Sequence, residues 1–113
     1  MADLNTFIGG EINKLTTTSG GSYNFNANSS TVQRRTVTAN STFDLIATPG
    51  DSVQSVIIEL VNGGNFNITW NASINWSEGL APDLTTNGTD ILTFYTTNAG
   101  ATWEGSVFSK DSK

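Results

Sequence analysis

Four carboxylates, Glu78, Asp83, Asp90 and Glu104, sit on or near the loops of the C-terminal third of the chain. Two carboxyl groups facing each other across a cleft can hydrolyse a glycosidic bond, one as acid and the other as base or nucleophile. Other routes are closed, because the chain holds no His and no Cys. That excludes zinc thiolate sites, iron–sulfur clusters and every Ser–His or Cys–His triad. Nothing in the spacing pairs any two of the four acids, and an acid on a loop is by default a solvated residue or a turn cap. No Asp-x-Asp-x-Asp-Gly calcium loop occurs either. The expectation is a non-enzymatic protein without cofactor or metal, and a small carboxylate hydrolase is the last of three readings.

Trp70, Trp76 and Trp103 could stack on the apolar face of a sugar. Trp70 shares the alternating phase of Phe66 and Ile68, which predicts a core side chain. Trp76 adjoins a long loop, and Trp103 opens the last strand beside a turn. These two are the candidates for a glycan-binding or partner-binding rim.

The polar composition is unusual. Charged residues make up 13% of the 113-residue chain, against roughly 25% in an ordinary domain. Asn, Ser and Thr supply 42 residues, so the surface is mostly amide and hydroxyl. Such side chains suit wet protein interfaces. The net charge of −5 carries no electrostatic footprint for nucleic acid, and Arg34-Arg35 is the one basic pair. No stretch has the roughly 18 apolar residues of a membrane span, and residues 1–20 lack the regions of a secretory signal. A protein made in the cytoplasm and used without export is expected, and the six Asn-x-Ser/Thr sequons then follow from composition rather than glycosylation.

The elements that must carry these residues are strands. Tyr23-Asn24-Phe25-Asn26-Ala27 alternates apolar and polar, Thr31 to Thr38 is rich in β-branched residues and carries the two arginines, and Phe43 to Ala47 precedes a Pro-Gly turn at Pro49-Gly50. Val53 to Val61 is apolar enough for a central strand covered on both faces. Asn62-Gly63-Gly64-Asn65 predicts a tight hairpin. Alternation then resumes from Phe66 to Trp76, as one strand or as two broken near Asn71. Ile91 to Thr96 and Thr102 to Phe108 are the last strands, joined by a turn at Asn98-Ala99-Gly100. About seven strands without helical segments predict an all-β fold, an antiparallel β-sandwich or small barrel, over residues 22–113.

Residues 1–21 behave differently. Leu4, Phe7, Ile8, Ile12 and Leu15 fit one helical face, but Gly9-Gly10 interrupts it at a cost of about 2 kcal/mol relative to alanine. The expectation is an apolar N-terminal arm that docks on a partner, followed by a flexible Thr/Ser/Gly joint from Thr16 to Ser22.

Ile68-Thr69-Trp70, Ile74-Asn75-Trp76, Gly79, Ala81-Pro82-Asp83-Leu84-Thr85, Asp90 to Thr96 and Gly100-Ala101-Thr102-Trp103-Glu104-Gly105 together resemble a β-module of tailed-bacteriophage virion proteins. Similar patterns close tail fibres and occur in small head-associated proteins. With the strands from Phe43 to Leu60 the resemblance spans about the last 65 residues. Fibre proteins of this kind are usually long, whereas a short arm precedes the module here, which favours an accessory subunit.

The resemblance implies a structural protein of the virion, a capsid decoration or cement subunit, assembled as a homotrimer and bound to the major capsid protein or another virion protein. The second reading is a tail-fibre or receptor-binding module that recognises host cell-surface glycan through Trp76 and Trp103. Neither nucleic acid nor membrane is an expected partner.

Overall fold

The computed structural model of the chain describes residues 15–27 and 32–113. Their strands are β1 (Leu15–Gly20), β2 (Tyr23–Asn26), β3 (Val32–Val37), β4 (Ser41–Ile46), β5 (Gln54–Val61), β6 (Ile68–Trp70), β7 (Ile74–Trp76), β8 (Thr89–Thr96) and β9 (Trp103–Ser109). A six-stranded sheet runs β1-β3-β5-β8-β9-β7 and a three-stranded sheet runs β2-β4-β6. The all-β expectation holds, with nine strands among the described residues rather than about seven.

The pairing departs from the antiparallel one expected. β1 lies parallel to β3, β3 to β5, β2 to β4, β4 to β6 and β7 to β9. The antiparallel pairs among the described residues are β5 with β8 and β8 with β9. The chain lays one strand in the larger sheet, turns a corner, lays the next in the smaller sheet, and repeats. Thus β1/β2, β3/β4 and β5/β6 stack as successive coils. The physical reason for the miss is simple. Alternation of apolar and polar residues reports which face of a strand is buried, and is silent about the direction of its neighbour.

Both sheets feed one core. Phe25, Phe43 and Leu45 come from the smaller sheet, and Val37, Val56, Ile58, Leu60, Leu92, Phe94 and Trp103 from the larger. The coils bring Tyr23, Phe43 and Trp70 into lateral register, one aromatic per coil. Edge-on ring contacts follow, with centroids 5.1 Å apart for Phe25–Phe43 and 5.6 Å for Phe43–Trp70. Such geometry adds to the burial of the rings. Trp70 keeps the inward phase expected of it and packs against the core, although it is only half-buried.

Two expected connections are different elements. The segment from Thr16 to Ser22, read as a flexible joint, is most of β1 and the corner after it. Its threonines suit an extended backbone, and buried Arg35 of β3 holds it down. The guanidinium donates to Thr18 Oγ1 at 2.9 Å, to the Gly21 carbonyl at 2.5 Å and to the Ser22 carbonyl at 3.3 Å. Its carbon sits 4.3 Å from the centre of the Tyr23 ring. Among the described residues no carboxylate pairs with it, and burial pushes its pKa down, partly offset by Tyr23.

The Asn62–Asn65 segment is a corner into the smaller sheet, not a hairpin. Gly64 is needed there for space: a Cβ would stand 2.2 Å from the Leu84 carbonyl oxygen. Its N–H donates to Thr85 O at 3.1 Å, the Asn87 backbone N–H donates to Asn65 Oδ1 at 2.8 Å, and Asn65 Nδ2 donates to Asn87 Oδ1 at 2.9 Å. The loop from Leu80 to Gly88 is thus clamped on the corner.

Asp90, 1% exposed, completes the clamp. Its carboxylate accepts from Thr85 N–H at 2.6 Å, Thr85 Oγ1 at 2.7 Å and Asp111 N–H at 2.9 Å. Burial by itself raises the pKa of this group, but the Thr85 and Asp111 bonds and the nearby Lys110 charge outweigh it and hold it below the usual carboxylate value. A pKa lowered by folding contributes stability that is full above the unfolded-state value and is lost as pH falls through the folded-state value. Asp90→Ala is expected to cost about 3 kcal/mol in urea unfolding at neutral pH, because it strands buried donors. Asp90→Asn should flatten the acid limb of the stability–pH curve. An unchanged acid limb would show that the group does not titrate with folding.

Candidate functional site

The outer face of the larger sheet is set by alternation. In β8 the residues Asp90, Leu92, Phe94 and Thr96 are buried, leaving Ile91, Thr93 and Tyr95 on the other face. Register then writes rows across the strands. Ser55 of β5 lies opposite Tyr95 of β8, Tyr95 opposite Glu104 of β9, and Glu104 opposite Asn75 of β7. One step along, Thr93 faces Ser106, their hydroxyls 3.2 Å apart. Asn75 Nδ2 donates to Glu104 Oε2 at 3.0 Å.

A cleft of about 200 Å³ opens over these rows, lined by Asn75, Trp76, Thr93, Tyr95, Glu104 and Ser106. A second cleft of about 320 Å³ adjoins it, walled by Glu78, Leu80, Pro82 and Val107. Trp76, Ser77 and Ser106 border both. The Trp76 ring is half-buried and fixed edge-on by Trp70 at 5.4 Å and by Phe94 at 5.5 Å. Glu78 holds a left-handed backbone (φ 62°) at the mouth of the second cleft, and Leu80 is 75% exposed beside it. Tyr95, 51% exposed, also borders a broad depression of about 610 Å³ beside Val53 and Gln54.

A second feature of the same face is apolar. Leu15, Val32 and Ile57 stand in line across β1, β3 and β5. Val61 and Ile91 lie nearby on the same face, and Arg34 and Glu59 form an ion pair at 3.0 Å beside the line. β5 was expected to be covered on both faces. It is central in its sheet, but Ile57 and Val61 are only half-buried by the described residues.

The residues singled out from the sequence divide. Leu4, Phe7, Ile8 and Ile12 lie outside the described residues. Leu15, expected to end the arm, begins β1 and is 53% exposed. Trp76 stands at the junction of the two clefts. Trp103 is not at a rim: it is fully buried, and its indole N–H has no acceptor among the described residues. The reason is that Trp103 pairs with Ile74 on the inner face and the turn before it folds back against Ala47.

The acids also separate. Asp90 is consumed by the loop clamp, the backbone carbonyl of Asp83 accepts from Lys110 Nζ at 2.7 Å, and Glu78 and Glu104 line different clefts. Tyr95, Asn75 and the Thr93–Ser106 pair were missed, since only strand register aligns them. The chain matches no family model, no curated protein and no solved structure.

Gly105 makes the cleft floor possible. A Cβ there would stand 2.9 Å from Phe94 Cε1 and 3.0 Å from Ile74 Cγ2. Gly105→Ala is expected to displace Phe94, and with it Trp76, at a cost of about 1–3 kcal/mol. Urea unfolding followed by tryptophan fluorescence checks both effects; an unaltered midpoint and emission maximum would mean that the rings have slack.

Proposed function

We propose that this chain is a non-enzymatic structural subunit of a tailed-phage virion, a capsid decoration or cement protein that attaches to the particle surface and stabilises it. The observation that carries the reading is the apolar line Leu15, Val32 and Ile57 on the outer face of the larger sheet, in which, among the described residues, Leu15 is exposed and Val32 and Ile57 are half-buried. Apolar side chains in a row across three strands favour burial against a partner. The low charge of the chain reduces repulsion between like copies, and its amides and hydroxyls supply the bonds of a wet contact. These features support a homotrimer whose subunits bind the major capsid protein or another virion protein. The resemblance of the last 65 or so residues to phage virion modules supports the same setting. The apolar residues before Leu15 extend the docking surface in this reading.

Two variants test it. Ile57→Lys is expected to melt within a few degrees of the parent chain, to scatter light as a smaller species and to lose particle attachment. Removal of residues 1–14, which spares β1, is expected to leave the melting temperature unchanged and to weaken attachment. A parent chain that is monomeric at micromolar concentration would refute the trimer, and variants that still saturate the particle would refute the attachment surface. Hundreds of copies per particle fit decoration of the head, whereas a handful at the tail tip would shift the reading to a receptor-binding module.

A further inference from the structure

We propose that the paired clefts around Trp76 are a binding site for a neutral saccharide, with Tyr95 as the stacking platform, Trp76 as the wall that the clefts share, and Asn75, Glu104, Thr93 and Ser106 as the hydrogen-bonding groups. The proposal does not rest on the virion reading: its ligand-contacting residues lie on β7, β8 and β9, whereas the Leu15–Val32–Ile57 line crosses β1, β3 and β5 and meets the site only where Ile57 lies opposite Thr93.

Strand register makes the site. Ser55, Tyr95, Glu104 and Asn75 cross four adjacent strands, a straight track of about 14 Å at the ordinary strand spacing. Residues on strands of a continuous sheet hold their positions better than residues on loops. The wall shared by the two clefts is fixed in advance as well, because Trp76 is wedged edge-on against Trp70 and Phe94. Little ordering remains to oppose binding, which matters for a ligand that offers modest contact energy.

The chemistry of the lining selects the ligand class. A pyranose ring presents a face of C–H groups and an edge of hydroxyls. Exposed Tyr95 suits the first. For the second, Glu104 is braced at Oε2 by Asn75, so its other oxygen accepts in a known direction, and the Thr93 and Ser106 hydroxyls can turn to donate or accept. Among the described residues no Lys or Arg lines either cleft, and the carboxylates that do are Glu78 and Glu104. With a net charge of −5, the chain therefore repels phosphorylated and sialylated ligands. Two clefts sharing Trp76, Ser77 and Ser106 accommodate consecutive sugar units of one oligosaccharide.

The test uses the purified chain, isotope-labelled, titrated with maltohexaose, cellohexaose and chitohexaose, and with sialyllactose as the anionic control. At least one neutral oligosaccharide is expected to shift the resonances of residues 75–76, 93–95 and 104–106 at millimolar concentration, while sialyllactose shifts none. Tyr95→Ala should weaken that binding roughly tenfold or more, the loss of about 1.4 kcal/mol. Glu104→Ala should weaken it more than Glu104→Gln, which keeps an acceptor oxygen. Phe108→Ala, exposed outside the clefts, should leave it unchanged. Melting curves of each variant separate lost binding from lost folding. The assignment is overturned if none of the neutral oligosaccharides shifts these residues, if Tyr95→Ala binds like the parent chain, or if sialyllactose binds as tightly as the neutral sugars.

Discussion

The buried carboxylate of Asp90 is the tie on which one end of this structure depends. An ionised group out of water is costly, and here the cost is offset by two backbone N–H groups and one hydroxyl from Thr85 and Asp111. Because those donors come from both sides in sequence, one side chain sets the path of the loop before β8 and of the chain after β9. The loop is then positioned to press on Gly64 and to pair Asn87 with Asn65. Its first residues, Leu80 to Pro82, become a wall of the larger of the two clefts around Trp76. The geometry of the site is thus anchored at a residue that takes no part in lining it.

At the opposite end the comparable tie is Arg35, which joins β1, the following corner and Tyr23 to the middle coil. Buried charges are more often held by opposite charges. Here an arginine is held by carbonyls, a hydroxyl and a ring, as a carboxylate is held at the other end mainly by amides. Both choices agree with a chain in which Asn, Ser and Thr are abundant and charged residues scarce.

Much of the fold was legible in the residues. The alternation in Tyr23–Asn26 and Phe66–Trp76 marked strands and their buried faces, Ile91–Thr96 was read as a strand, and the break near Asn71 separates β6 from β7. Ala99 and Gly100 both take positive φ in the turn read at Asn98-Ala99-Gly100. Strand direction was not legible, because no single residue encodes it. A weak signal was present in the recurrence of Tyr23, Phe43 and Trp70, each flanked by polar residues, one per coil. The parallel pairings, between residues from 17 (Leu15 with Val32) to 29 (Ile74 with Trp103) positions apart, leave no local mark. For the site, Trp76 was legible as an aromatic beside a long loop, whereas the buried state of Trp103 depends on a turn folding onto Ala47. Tyr95 and Asn75 are distant in sequence and meet only through Glu104 between them.

The strand order also has a consequence for how the molecule is made. β9 lies between β8 and β7, so β7, synthesised long before it, has no ladder partner until β9 exists. A nascent chain lacking β9 therefore exposes the edges of both neighbours together with Ile74, Trp76 and Phe94, which are adhesive surfaces. Closure of this sheet is a late event, coupling completion of the polypeptide to completion of the aromatic cluster. Non-local pairing of this kind belongs to the slow range of single-domain folding. Production of the protein should thus favour conditions that protect a partly made sheet from its own copies.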